Sequence, residues 1–127
     1  MKRFHLIFGL IVLVVFLLTG QYMDRFHEHL AHTPDGPRML YRTRHIFILM
    51  SGLLHLGIGS YFSLRVQAWR RALQIIGSAL ITIAPVLFTI AFFYEPKLEG
   101  LHTPLSLIGM IIIAVGALLH VVSGVKE

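Results

Sequence analysis

Apolar residues dominate four stretches of the chain, and turn-forming or polar residues separate them. The stretches cover about residues 4–23, 38–62, 75–94 and 104–123. An α-helix of about 20 residues crosses a hydrocarbon core of about 30 Å, so each stretch is long enough to span a membrane. Short connections between such helices predict an up-down-up-down arrangement. We therefore expect an all-α, four-helix transmembrane bundle in which residues 1–127 form a single membrane domain.

The ends of the first two helices follow from local sequence signals. Apolar residues recur beyond Gly20 at Tyr22, Phe26 and Leu30, which predicts an amphipathic extension of the first helix to about residue 32. Residues 33–37 place two prolines around Asp-Gly, a combination that favours a turn. The second helix is therefore expected to begin at about residue 38.

The remaining connections are predicted in the same way. Residues 63–74 combine Trp69 with several arginines, which is typical of a short interfacial connection. Thr103 and Pro104 have the residue types preferred at the N-cap and the first helical position. The apolar run of residues 6–18 follows a basic start and resembles a signal peptide, but no small-residue cleavage site follows it. We expect this run to be the first membrane helix.

Each predicted helix carries one stripe of small or polar residues at helical spacing. Small residues let helix backbones approach, and hydroxyl and imidazole groups form hydrogen bonds between helices, so these stripes should face one another. The aromatic residues near the end of the third helix, Phe88, Phe92, Phe93 and Tyr94, are expected to face lipid. The stripes are His5, Gly9, Leu13, Phe16 and Gly20; His45, Ile48, Gly52, His55 and Gly59; Arg71, Ser78, Thr82, Pro85 and Thr89; and His102, Ser106, Gly109, Ile113, Gly116, His120 and Ser123.

Composition supports the membrane assignment and narrows the chemistry. Hydrophobic residues make up 56% of the chain and charged residues only 13%, outside the range of soluble domains. The formal net charge is +5, but the basic residues lie at the ends of apolar runs, which indicates contact with lipid headgroups and not with nucleic acid. The chain has no cysteine, which excludes thiolate metal sites and disulfides.

The distribution of basic residues predicts the orientation. The connection at residues 63–74 contains three arginines, whereas the connection at residues 95–100 contains one lysine. Short loops rich in Lys and Arg stay in the cytoplasm. We expect a multi-pass protein of the cell inner membrane with both termini in the cytoplasm.

The histidines are the candidates for chemistry. By rise along each helix, His55 lies at the middle of the membrane, level with Thr82, whereas His5 and His120 lie level with Ser78 nearer the cytoplasm. These three histidines are candidate cofactor-binding residues, with haem b as the cofactor. At the outer end, imidazole and carboxylate groups come to one level and suit a divalent transition metal. The candidate metal ligands are Asp24, His27, His45 and His102.

Each of these sites has a simpler interpretation. His55 can be neutral and donate a hydrogen bond to Thr82 or to a backbone carbonyl, and polar groups at helix ends cost little. A quinone or lipid headgroup site between helices is a further possibility, with a histidine as donor and Arg44 or Arg71 near a charged group. The sequence places no carboxylate inside a span, which argues against a pump.

The function we expect from the sequence is that of an accessory or assembly subunit. Such a subunit has no catalytic activity of its own and binds larger membrane proteins through its apolar outer faces. The alternative is a redox protein that binds haem or a transition metal through clustered histidines.

Overall fold

The computed structural model describes residues 1–125 and consists of four long α-helices joined by short connections. The helices are α1 (Lys2–His27), α2 (Asp35–Tyr61), α3 (Ala68–Tyr94) and α4 (Pro104–Gly124). Single 3₁₀ turns occur at Glu28–Leu30, Glu95–Lys97 and Glu99–Leu101. The described residues include no strand. The expectation of an all-α, four-helix bundle is therefore confirmed.

The helices are long and apolar enough to identify a membrane protein. Three segments of the described chain meet the length and hydropathy of a membrane span, namely Lys2–Leu30, Ala68–Lys97 and Glu99–Gly124. Helix α2 falls outside this set, and its first turns carry Arg38, Arg42 and Arg44.

The amphipathic extension of α1 is shorter than the sequence predicted. Instead of continuing to about residue 32, α1 ends at His27. The next three residues, Glu28, His29 and Leu30, have φ angles of 45°, 56° and 65°. These left-handed conformations are disfavoured for L residues and cannot continue a right-handed helix. The chain therefore turns before the prolines that were expected to end the helix.

Two helices begin earlier than the sequence predicted. Helix α2 starts at Asp35 and takes Pro37 into its first turn, where a missing N–H does no harm because first-turn N–H groups have no acceptor within the helix. Helix α3 starts at Ala68 and not at residue 75. The connection before it is fixed by Gln74, whose side chain donates to the carbonyl of Ser63 at 2.9 Å and accepts from the N–H of Arg65 at 3.3 Å.

Close contact between glycines organises the bundle into two helix pairs. Helix α1 lies along α2 and α3 along α4, and a smaller α2–α3 contact joins the pairs. A Cβ on Gly9 would lie 3.1 Å from the carbonyl oxygen of Gly52, and one on Gly116 would lie 2.9 Å from that of Gly77. Such distances leave no room for a side chain, so small residues set the helix spacing. Gly9, Gly52 and Gly116 were on the predicted stripes, whereas Gly77 was not.

The core differs from the prediction at two aromatic residues. Phe88 and Phe92 are fully buried, although they were expected to face lipid. Phe88 lies over Gly109 of α4, where an added Cβ would be 2.6 Å from the ring, and the rings of Phe92 and Tyr41 are 5.2 Å apart. The absence of a side chain at Gly109 provides the space that Phe88 fills. Phe93 and Tyr94 are exposed, as expected.

Candidate functional site

One hydrogen-bonded chain in the interior contains a residue from every long helix. His5 of α1 lies with its Nδ1 2.9 Å from Nδ1 of His55 in α2. The other nitrogen of His5, Nε2, lies 3.0 Å from Oγ of Ser78 in α3, and the same hydroxyl lies 3.0 Å from Nε2 of His120 in α4. His5, His55 and Ser78 are almost completely buried, and His120 is half-buried. We call these four residues the imidazole chain.

The inner end of the imidazole chain depends on a proline. His55 Nε2 lies 3.3 Å from the carbonyl oxygen of Ile81. In a regular helix this carbonyl would accept from the N–H four residues later, but that residue is Pro85, which has no N–H. The proline therefore frees an acceptor inside the membrane, and a neighbouring helix satisfies it. The expectation that His55 donates to a backbone carbonyl is confirmed, and Thr82 instead donates to Ser78 of its own helix.

The contacts fix the direction of every hydrogen bond when the histidines are neutral. A carbonyl oxygen only accepts, so His55 carries its proton on Nε2 and its Nδ1 must accept. His5 then carries its proton on Nδ1, donates it to His55, and accepts at Nε2 from the hydroxyl of Ser78. That hydroxyl in turn accepts from Nε2–H of His120. In this one arrangement every ring nitrogen and hydroxyl of the neutral chain except Nδ1 of His120 has a partner, which matters because an unpaired buried polar group is costly.

The His120 end of the imidazole chain opens to a cleft on the side of the bundle where the polypeptide begins and ends. The cleft has a volume of about 160 Å³, and His120, Phe62, Arg65 and Ser123 are among the residues that line it. Phe62 lies beside two histidines of the imidazole chain. Its ring centroid is 5.6 Å from that of His5 and 6.3 Å from that of His120. Nδ1 of His120 makes no hydrogen bond within residues 1–125 and is the free end of the chain.

The structure changes the depth assignment made from the sequence. His5, Ser78 and His120 lie at one level, as predicted. His55 was placed in a separate layer at mid-membrane, but it is bonded directly to His5. Counting rise along straight helices misses this contact because two imidazole side chains reach toward each other across the α1–α2 interface.

The outer candidates for metal binding are not brought together. Asp24 pairs with His29 at 2.6 Å, and His27 lies between the rings of Tyr22 and Tyr41. Among residues 1–125 no group of three or more His, Asp or Glu side chains is arranged to hold a metal ion.

His45 and His102 make separate contacts. The Nδ1 atom of His45 lies 2.9 Å from Oγ1 of Thr19, whose hydroxyl donates to the carbonyl of Phe16. His102 is exposed and lies beside Gly100.

Haem ligation through His55, His5 and His120 would require a different arrangement of these side chains. Two nitrogens that bind one iron from opposite sides lie about 4 Å apart, given metal–nitrogen bonds of about 2 Å. The facing nitrogens of His5 and His55 are 2.9 Å apart, and Nε2 of His55 lies near Ile81. The haem and metal assignments therefore stay predictions, without a preformed ligand set in the described residues.

A buried ion pair near the opposite end of the bundle was missed by the sequence analysis. Glu95 follows α3 and is fully buried, although it was expected in a loop. Both Nε and Nη2 of Arg44 lie 2.7 Å from its Oε2, and the N–H of Ser106 donates to its Oε1 at 2.9 Å. A usable signal was present, because Arg44 shares the inner face of α2 with Ile48 and His55 and a cation on that face needs a carboxylate.

No protein-family model, curated protein or solved structure matches the chain. Its function is therefore inferred from the chemistry of its own residues.

Proposed function

We propose that the protein is a non-enzymatic membrane subunit that takes up a proton, from the side of its termini, into the imidazole chain. The observation that carries the proposal is that each long helix contributes one residue to a single hydrogen-bonded chain. Imidazole gains and loses a proton near neutral pH. Ionisable residues inside a membrane bundle are costly, and they often belong to proton pathways.

A proton added at Nδ1 of His120 moves inward by short shifts of protons already present. The Nε2 proton of His120 passes to Ser78, the hydroxyl proton passes to Nε2 of His5, and the Nδ1 proton of His5 passes to Nδ1 of His55. His120, Ser78 and His5 end neutral with their hydrogen bonds reversed. His55 ends as an imidazolium that still donates to the carbonyl of Ile81.

Two contacts stabilise the charged form of His55 and offset part of the cost of burying a charge. The freed carbonyl of Ile81 accepts from its Nε2–H. The ring of Phe8 lies with its centroid 4.8 Å from that of His55, a distance at which the face of an aromatic ring attracts a cation. The inner end of the chain is therefore the place where we expect the proton to rest.

The path supports uptake and not transport across the membrane. Within residues 1–125, no hydrogen bond links His55 to the next histidine along α2, His45. The intervening Ser51 donates to the carbonyl of Ile48 in its own helix. A proton that reaches His55 therefore needs another group to go further, which is consistent with an accessory role beside larger membrane proteins.

The location is part of the same proposal. We place the protein in the cell inner membrane with both termini in the cytoplasm, supported by the arginines near the start of α3. Proton uptake would then begin on the cytoplasmic side.

Nitrogen NMR of histidine-labelled protein in lipid nanodiscs tests the proposal. At neutral or mildly basic pH, we expect His5 to carry its proton on Nδ1, and His55 and His120 to carry theirs on Nε2. On acidification His55 should become doubly protonated while His5 stays neutral. The Ser78→Ala variant removes the hydroxyl between His5 and His120 and should greatly slow proton exchange at His55, which the same NMR samples report through the exchange rate of its ring protons.

Ser60→Ala is the matched control, because the Ser60 hydroxyl is exposed and donates only within its own helix. It should leave the tautomers and the protonation of His55 unchanged. If His55 stays neutral down to about pH 5, the lower end of the range in which an ordinary imidazole changes charge, or if its ring protons exchange as fast in Ser78→Ala as in the wild type, the relay is wrong.

A further inference from the structure

The cleft beside His120 contains a cation without a partner among the described residues. Nε of Arg65 is buried and has no hydrogen-bond partner within residues 1–125. Its guanidinium lies against the end of α4, where Nη2 is 3.1 Å from the position that a Cβ on Gly124 would take. The backbone of Arg65 is fixed by its hydrogen bond to Gln74. Arg65 is only half-buried as a residue, but a buried Nε–H that lacks an acceptor is costly, so this arrangement favours a bound anion.

The donors around the cleft suit an anion that has only acceptor atoms. Arg65 offers its Nε–H and its terminal N–H groups. The hydroxyl of Ser63 is a further donor in the lining, and His120 becomes a donor at Nδ1 once it takes up a proton. A phosphate diester has negatively charged oxygens and no proton to donate at neutral pH. Its chemistry therefore matches the donors available here.

The surrounding surface indicates that the phosphate belongs to a lipid. The connection between α2 and α3 exposes Leu64 and Val66, at 57% and 93% of their surface, and Trp69 is 53% exposed at the start of α3. Apolar and aromatic side chains next to arginines are typical of the headgroup level of a membrane. Arg70 and Arg71 add positive charge near the cytoplasmic surface we propose, which attracts anionic lipids.

We propose that this cleft binds the phosphate diester of an anionic phospholipid and that the bound phosphate promotes proton uptake at His120. The binding rests on Arg65 and the cleft alone. The effect on uptake also rests on the proposed function, because a negative phosphate stabilises a protonated imidazole beside it. The lipid would then regulate protonation of His120, the residue of the imidazole chain that takes up the proton first.

Binding is tested by native mass spectrometry and lipid titration of the full chain in detergent, with phosphatidylglycerol as the probe. Arg65→Gln should weaken phosphatidylglycerol binding about ten- to hundred-fold, the range expected for hydrogen bonds to a charged group. Arg42→Gln is the control, because Arg42 is exposed on α2 and should leave the affinity unchanged. Equal affinity in wild type and Arg65→Gln overturns the site.

Further probes separate the possible sources of the anion. Phosphatidylcholine, which carries no net charge, should bind more weakly than phosphatidylglycerol. Inorganic phosphate at the same concentration should not compete. Competition by inorganic phosphate would mean that a free anion, and not a lipid, occupies the cleft. Arg65→Gln should also weaken phosphatidylglycerol binding when Glu127 is replaced, as Glu127→Gln. If it no longer does so in that variant, Arg65 acts through the Glu127 carboxylate and not through a lipid phosphate.

The two proposals fail in different ways. If the lipid site is wrong, phosphatidylglycerol binding is insensitive to Arg65→Gln, but the histidine tautomers described above are still observed. If the relay is wrong, phosphatidylglycerol still binds through Arg65, but proton exchange at His55 does not respond to Ser78→Ala. If both hold, protonation of His55 increases in nanodiscs that contain phosphatidylglycerol, and Arg65→Gln removes the increase.

Discussion

The Arg44–Glu95 pair shows how much one residue can cost or contribute inside the bundle. The Arg44 side chain is 5% exposed and that of Glu95 is fully buried. Removing one partner of a buried pair leaves the other charge without compensation, which is far more destabilising than the pair is stabilising. The pair also ties α2 to the start of α4, since Ser106 donates to Glu95 through both its N–H and its hydroxyl.

We predict that Glu95→Ala lowers the free energy of unfolding by about 3–5 kcal/mol, the cost of an uncompensated buried charge. The measurement is unfolding in mixed detergent micelles, followed by circular dichroism. Replacing both partners, as Arg44→Met with Glu95→Leu, should restore most of the lost stability because no buried charge then remains.

The exposed pair between Arg38 and Asp35 provides the control for this prediction. Asp35 is 98% exposed and lies 3.5 Å from Arg38, so Asp35→Asn should change the unfolding free energy by less than about 1 kcal/mol. A similar loss for Asp35→Asn and Glu95→Ala would mean that burial does not set the strength of the Arg44–Glu95 interaction.

At the scale of elements, the bundle depends on how closely two helix pairs approach. The α1–α2 and α3–α4 interfaces each contain glycines that face each other across the crossing. Because lipid tails are as apolar as the side chains, burial of apolar surface drives helices together weakly, and close contact between backbones becomes important. The imidazole chain crosses both pairs, so its distances depend on these contacts.

We predict that Gly116→Ala destabilises the α3–α4 pair by about 1–3 kcal/mol through overpacking. The new Cβ would lie 2.7 Å from Cγ1 of Ile81 and 2.9 Å from the carbonyl oxygen of Gly77. Since Ile81 also accepts the hydrogen bond of His55, the variant should shift the ring-nitrogen resonances of His55. Both effects are measured on the same samples, by unfolding and by NMR.

Gly57→Ala is the matched control, because it is also a helical glycine but a Cβ there meets no atom within 4 Å. It should be neutral or slightly stabilising, as alanine favours a helix more than glycine does. Equal effects of the two substitutions would show that helix propensity, and not the space between α3 and α4, determines the outcome.

For the whole molecule, the orientation in the membrane determines which compartment would supply the proton in the function we propose. Lys2, Arg3 and the arginines of residues 65–71 lie on the side of the termini, together with the cleft that leads to His120. The opposite side carries Arg25, Arg38 and Arg42 and the connection between α3 and α4. Arg65 in the connection before α3, together with Arg70 and Arg71 in the first turn of α3, supports a cytoplasmic position for this side.

We predict that a cysteine at Gln67 is inaccessible to a membrane-impermeant maleimide in intact cells, whereas a cysteine at Glu99 is labelled. Both residues are exposed and lie in connections on opposite sides of the bundle. The natural chain has no cysteine, so each single variant reports one position without background. Labelling of Gln67→Cys with protection of Glu99→Cys would reverse the orientation and place proton uptake on the other side of the membrane.

The sequence was sufficient for the fold class and for most of the inner faces of α1, α2 and α4, whereas it missed the buried aromatic residues of α3. Long apolar runs, and stripes such as Ile48, Gly52, His55 and Gly59, depend only on local composition and helical spacing. These features are local, because the geometry of a single helix fixes which residues share a face.

The tertiary structure decided which polar groups meet. Three contacts depend on how pairs of helices rotate and cross. They are the contact of His5 with His55, the burial of Glu95 beside Arg44, and the burial of Phe88 over Gly109. A shift of only a few ångströms between two helices decides whether two side chains form a hydrogen bond or do not touch. The order of residues along the chain does not encode that distance. The sequence therefore determined that histidines lie inside the bundle, whereas only the tertiary structure joined them into one chain.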